Sequence, residues 1–152
     1  MMRRTHGFTL IELLVVIALA GVLAALVAPS FNEQIWRRRL EGVATELSTD
    51  LQFARTQAVD DRGNVRVMTL STTQYVVRNA ANVDLKTVNL PAGITATNGV
   101  TATYDQLRGT SDVQQFTVAS TRTAAELRID TNIMGRVSIC SPSGSLKGYT
   151  AC

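Results

Sequence analysis

Residues 7–29 read GFTLIELLVVIALAGVLAALVAP. From Phe8 to Ala28 the run is 21 residues long and holds one ionisable side chain, Glu12. At 1.5 Å per residue, a helix of that length reaches about 31 Å, the thickness of a bilayer's hydrocarbon core. A carboxylate inside that core costs roughly 2.5–3.5 kcal/mol, a cost that a run selected for apolarity alone has no reason to carry. A cleaved secretory signal is one reading. Its apolar stretch is about 7–15 residues and ends at a small-residue cut site, whereas this run is longer and continues into a helical pattern. A plain anchor is a second reading, and it leaves Glu12 idle unless the side chain snorkels from its place near the start of the helix. Arg3 and Arg4 precede the run and Arg37, Arg38 and Arg39 follow it, so the distribution of cations does not orient the span.

The rest of the composition narrows the chemistry. The chain has 152 residues and a net charge of +3, enough for one domain outside the apolar run and no global nucleic-acid signal. Its one histidine, His6, lies ahead of the run. Histidine is the usual general base near neutral pH and the commonest metal ligand. The sequence also lacks a cysteine cluster at metal spacing, a phosphate-binding glycine loop and an H-E-x-x-H motif. An enzyme is not expected, nor are a cofactor or a metal. Cys140 and Cys152 are the two cysteines. In an exported chain an even count implies pairing, and a loop this size would contribute about 3 kcal/mol. The alternative is two buried or free thiols.

Beyond Pro29 the pattern stays helical. Apolar residues fall at 36, 40, 43, 44, 47, 51, 54 and 58, steps of three and four that mark one face. Arg38, Arg39, Glu41, Glu46, Asp50, Gln52 and Arg55 take the other. Asp60-Asp61-Arg62-Gly63 ends the pattern, with Gly63 as the stop signal. This predicts a helix of about 50 residues, kinked near Pro29. From Asn64 the sequence alternates and turns β-branched. Residues 65–71, 74–79, 86–90, 93–97, 114–119, 125–130 and 136–140 read as strands. The Thr- and Gly-rich stretch 95–112 reads as a long loop. The expected class is α+β, a long helix laid on an antiparallel sheet. Its segments are residues 1–7, 8–29, 30–62 and 63–152.

The leader MMRRTHG followed by FTLIELLVV resembles the class III leader of type IV pilins and type II secretion pseudopilins. The shared features are a short basic leader, Gly7, Phe8, Glu12 four residues on, and a long apolar helix. Pro29 falls where that family commonly has a kinking proline. The resemblance implies that a prepilin peptidase cuts between Gly7 and Phe8 and methylates the Phe8 amine. It also implies that Glu12 meets the terminal amine of a neighbouring subunit and sets axial register, since a buried carboxylate is tolerable when paired with a cation. Farther on, LSTDLQFARTQAVDDRG is similar to the GspH/FimT-like branch at Leu47, Leu51, Ala54, Arg55, Ala58 and Val59, and GRVSIC is similar to it at Gly135, Arg136 and Cys140.

That branch implies a minor pilin in the initiating or tip complex of a type IV pilus, serving adhesion, twitching or DNA uptake. The alternative is a minor pseudopilin of the type II secretion system. The implied partners are other pilin or pseudopilin subunits, the peptidase, an inner-membrane assembly platform and inner-membrane lipid. The implied location is the inner membrane as a single-pass protein with its C-terminal domain in the periplasm, then a cell-surface fibre. Arg37, Arg38 and Arg39 read either as contacts for lipid headgroups or a neighbour's acids, or as a solvated helix turn. Some FimT-like pilins bind DNA through a G-R-x-R element. Here the positions read Gly135-Arg136-Val137-Ser138, without the second arginine. A DNA-binding tip pilin would then need Arg122, Arg128, Arg136 and Lys147 to cluster.

Overall fold

The computed structural model of the chain describes residues 9–144 and 146–152, with the side chains of 25–30 excepted. It divides into two compact units, Met1–Ile35 and Trp36–Cys152. One helix, α1, is assigned from Leu10 to Asp60. Eight strands follow: β1 Val65–Ser71, β2 Gln74–Arg78, β3 Asp84–Asn89, β4 Ile94–Ala96, β5 Thr101–Tyr104, β6 Gln114–Ser120, β7 Glu126–Thr131 and β8 Val137–Cys140.

In the first unit the described residues are helical from Leu10 and exposed throughout. Among the described residues no helix is long and apolar enough to cross a membrane. Of the expected span Phe8–Ala28, the described side chains cover only Thr9–Ala24. The kink expected at Pro29 lies outside the described side chains. So do the cleavage residues Gly7 and Phe8.

In the second unit α1 buries the face that its spacing predicts. Leu40, Val43, Ala44, Leu47, Leu51, Ala54 and Ala58 are all buried, and Trp36 is half-buried. The helix stops one residue earlier than its glycine suggests. Arg62 takes the left-handed conformation, with φ 50°. Its N–H reaches the Val59 carbonyl at 3.4 Å, and the Gly63 N–H reaches that of Ala58 at 3.2 Å. This pair of bonds is a Schellman cap with arginine in the position where glycine is favoured.

The sequence predicts one sheet, and two are present. Both have four strands with antiparallel pairing, in the orders β3-β2-β1-β5 and β4-β6-β7-β8. The stretch expected to be a long loop contributes β5, which pairs Val65 with Tyr104 and Val67 with Ala102. Alternation sends Val65 and Val67, Phe116 and Val118, and Leu127 and Ile129 inward. These join the α1 face in a single core that also takes in Leu146 from beyond the last strand.

Candidate assembly interface

Thr9 caps α1. Its hydroxyl accepts the Glu12 N–H at 3.3 Å, and its carbonyl accepts the first intrahelical N–H, from Leu13, at 3.2 Å. Thr9-x-x-Glu12 is a capping-box spacing, legible in the sequence and missed there. Glu12 therefore sits in the first helical turn, where the helix dipole favours negative charge. No ion pair engages its carboxylate among the described residues. Around it the helix is apolar on every side: Leu10, Ile11, Leu13, Leu14, Val15, Val16, Ile17, Leu19, Val22 and Leu23 are all exposed. A helix apolar all round is built to be covered by lipid or by other helices. The arrangement leaves the Glu12 carboxylate unpaired, among the described residues, beside an exposed apolar surface.

The second half of α1 treats its acids differently. Asp50, expected on the solvent face, is 4% exposed. It is aimed at the sheet. The Tyr75 hydroxyl donates to Asp50 Oδ2 at 2.7 Å, and Lys86 Nζ donates to both carboxylate oxygens at 2.8 Å. The same ammonium bonds Glu46 at 3.1 Å. The Asp50 hydrogen bond raises the Lys86 pKa, with Glu46 adding to it. Burial, then the Asp50 bond, pushes the Tyr75 hydroxyl well above its usual range. These groups tie α1 to β2 and β3.

Two motif residues from opposite ends of the domain meet at a third point. Arg55 Nε donates to the Gly109 carbonyl at 3.1 Å. Gly135 holds φ +70°, and a Cβ there would lie 2.2 Å from that carbonyl oxygen and 3.0 Å from Arg55 Nε. Only glycine fits. The arginine of the helix motif and the glycine of the late strand motif are thus two halves of one contact.

The tail is pinned by a disulfide between Cys140 and Cys152. Alongside it the Ser141 N–H donates to Thr150 at 2.9 Å, and Leu146 is 2% exposed in the core.

The four candidate DNA contacts do not form one patch. Arg128 is spent on Asp130, with Nε 2.9 Å from Oδ1 and Nη2 donating to Oδ2 at 3.1 Å. Arg122 lies by Trp36, its guanidinium 5.9 Å from the ring centre. Arg136 lines a cleft of about 380 Å3 with Gln52, Arg55 and Thr56. Trp36 and Arg55 stand 19 residues apart on α1, or about 28 Å. Lys147 is exposed in the tail loop. Among the described residues no three His, Cys, Asp or Glu side chains are grouped to hold a metal ion.

The family model described as "Type II transport protein GspH" matches residues 43–147, and that of the "Prokaryotic N-terminal methylation motif" matches residues 2–28. The chain belongs to the GspH family. The GspH match takes in residues 64–130, where resemblance read from the sequence is only general. The methylation motif takes in Gly7, Phe8 and Glu12 and stops short of Pro29. The chain is 32% identical over 74 residues to a fimbrial protein of Pseudomonas aeruginosa, an overlap of 49% of this chain and 48% of the relative. It spans less than half the length of the curated relatives it matches. The type IV minor pilin FimU of Pseudomonas aeruginosa superposes with a TM-score of 0.58 at 20% identity, covering 73% of this chain and 95% of that one. The minor pseudopilin EpsH of the Vibrio cholerae type 2 secretion system superposes with a TM-score of 0.55 at 10% identity, covering 68% and 98%. This GspH-family chain therefore has the pilin fold.

Proposed function

We propose that the chain is a minor pilin of a type IV pilus, a structural subunit of the initiating or tip complex. One observation carries the subunit role common to the pilus and its alternative: an N-terminal methylation motif and a GspH domain lie on a single chain. Cleavage after Gly7 would free a Phe8 amine next to the capped helix start, and the unpaired Glu12 would receive the amine of a neighbour. Before assembly the apolar run Phe8–Ala28 anchors the chain in the inner membrane, with the disulfide-bonded domain in the oxidising periplasm. The chain works by assembly and not by catalysis: its one histidine lies in the segment that cleavage removes. Partners in this reading are other pilin subunits, the prepilin peptidase and an assembly platform.

The fimbrial relatives favour the pilus. The likeness to EpsH and the family's own description favour the second reading, a minor pseudopilin of a type II secretion system. Removing the chain from its host separates them. Loss of surface fibres with intact protein export supports the pilus. Intact fibres with blocked export supports the pseudopilus and overturns the first reading. A DNA-binding tip role is disfavoured by the dispersal of Arg122, Arg128 and Arg136. A gel shift with the full chain at low salt tests it, and absence of binding removes it.

A further inference from the structure

Trp36 is the chain's only tryptophan, and its setting is specific. Gly93, between β3 and β4, holds φ +89° and makes room for the indole, since a Cβ there would lie 2.6 Å from the ring. The Gly93 carbonyl accepts the Thr121 N–H at 2.9 Å and the Thr121 hydroxyl at 3.3 Å. Those bonds fix the β6–β7 turn beside the ring and bring the Arg122 guanidinium to 5.9 Å from its centre. Arg39, one helical turn past Trp36, stands 4.8 Å from the same ring. Both fall inside the roughly 6 Å range of a cation–π contact.

Two exposed guanidinium groups are thus held at one indole, with exposed Arg38 next to them in sequence. Among the described residues no ion pair engages Arg38, Arg39 or Arg122. The ring quadrupole offsets part of the repulsion, and a positive potential remains. Guanidinium forks suit phosphate oxygens. Trp36 follows Ala28, the last residue of the apolar run, by eight positions. Basic side chains close to a span are drawn to anionic headgroups, and tryptophan is enriched at the membrane–water interface. A track along DNA needs a row of free cations. Arg128 is neutralised and Arg136 lies toward the other end of the helix segment, so the cluster fits a single phosphate.

We propose that Trp36, Arg39 and Arg122, with Arg38, form a binding site for the phosphate of an anionic phospholipid headgroup. The site would add a second point of membrane attachment, one that draws on a turn 86 residues beyond Trp36 in the chain. The proposal rests on the membrane-anchor reading above.

The lone tryptophan is its own reporter. The full chain is placed in nanodiscs of phosphatidylcholine, with and without phosphatidylglycerol carrying a headgroup quencher or its unlabelled form. Trp36 emission is expected to shift to the blue in discs with phosphatidylglycerol. Quenching by the labelled lipid should exceed several-fold that by labelled phosphatidylcholine, and salt should weaken it. Arg122→Gln, in an exposed turn away from the core, should remove most of this preference without changing circular dichroism. Equal quenching by both lipids overturns the proposal, as does wild-type behaviour in Arg122→Gln. Displacement of the quenching lipid by a short DNA duplex overturns it in favour of nucleic acid. Failure of the chain to enter discs of phosphatidylcholine is a separate result, which overturns the anchor reading and this proposal with it.

Discussion

Two carboxylates on one helix lead opposite lives. Glu12, near the start of α1, has its backbone N–H capped and its carboxylate unpaired among the described residues, amid exposed apolar side chains. Asp50, near the other end, is 4% exposed and satisfied by Tyr75 and Lys86. Burial of a charge is tolerable only with a partner. Asp50 finds its partner inside the chain and so contributes to folding. Glu12 has none among the described residues, and in the proposed reading its partner is the amine of a neighbouring subunit. The same residue chemistry ties the fold together in one region and, in the proposed reading, serves association in the other.

The contrast can be broken most sharply at Glu12. Glu12→Ala should leave processing, membrane insertion and the domain's unfolding midpoint unchanged while abolishing incorporation into fibres, scored by immunoblot of sheared filaments. Incorporation at the wild-type level would refute the pairing role. Asp50→Ala should do the reverse and lower stability by about 3 kcal/mol, the low end for a broken buried pair because Lys86 stays partly solvated. Urea unfolding followed by Trp36 emission measures it.

The same cluster sets the alkaline limit. Lys86 and Tyr75 both have folded pKa values above their ordinary values of 10.5 and 10.0. Their contribution is complete below about pH 10 and declines as pH rises toward the raised values, because only the unfolded chain releases its protons there. Stability should therefore fall above pH 10 in the wild type and fall less in Tyr75→Phe.

Cys152→Ser should cost about 3 kcal/mol, the expectation for a loop this short, and reductant should reproduce that loss in the wild type but not in the variant. The smallest effect is a gain. Arg62→Gly should stabilise the domain by about 0.5–1 kcal/mol by relieving the left-handed arginine of the helix cap, read as a rise in urea midpoint.

Much of this layout is legible in the sequence because the signals are long or periodic. The α1 face from Leu40 to Ala58 repeats over five turns, and seven strands show alternation or β-branching. What escaped had weak local signals. β5 is four residues, Thr101-Ala-Thr-Tyr104, and its two inward positions are one small and one aromatic side chain in a Thr-rich stretch. Two sheets in place of one follow from pairings such as β1 with β5, which no local pattern encodes. Asp50 looked solvent-facing by composition, yet it lies three residues after Leu47 and next to Leu51, at the edge of the buried stripe. Arg55 and Gly135 each stood out as motif residues, but their contact could be seen only once residues 80 positions apart were brought together.

Leu146 closes the core that Leu40 opens. During synthesis the apolar face from Leu40 to Ala58 emerges first, and the residue that completes its cover comes 88 positions after Ala58. At 5–20 residues per second, that face waits roughly 4–18 s. Through those seconds the strands that cover the face arrive one after another, and the cover is complete only with Leu146. Until then part of that apolar face is open to water, the condition in which folding intermediates aggregate.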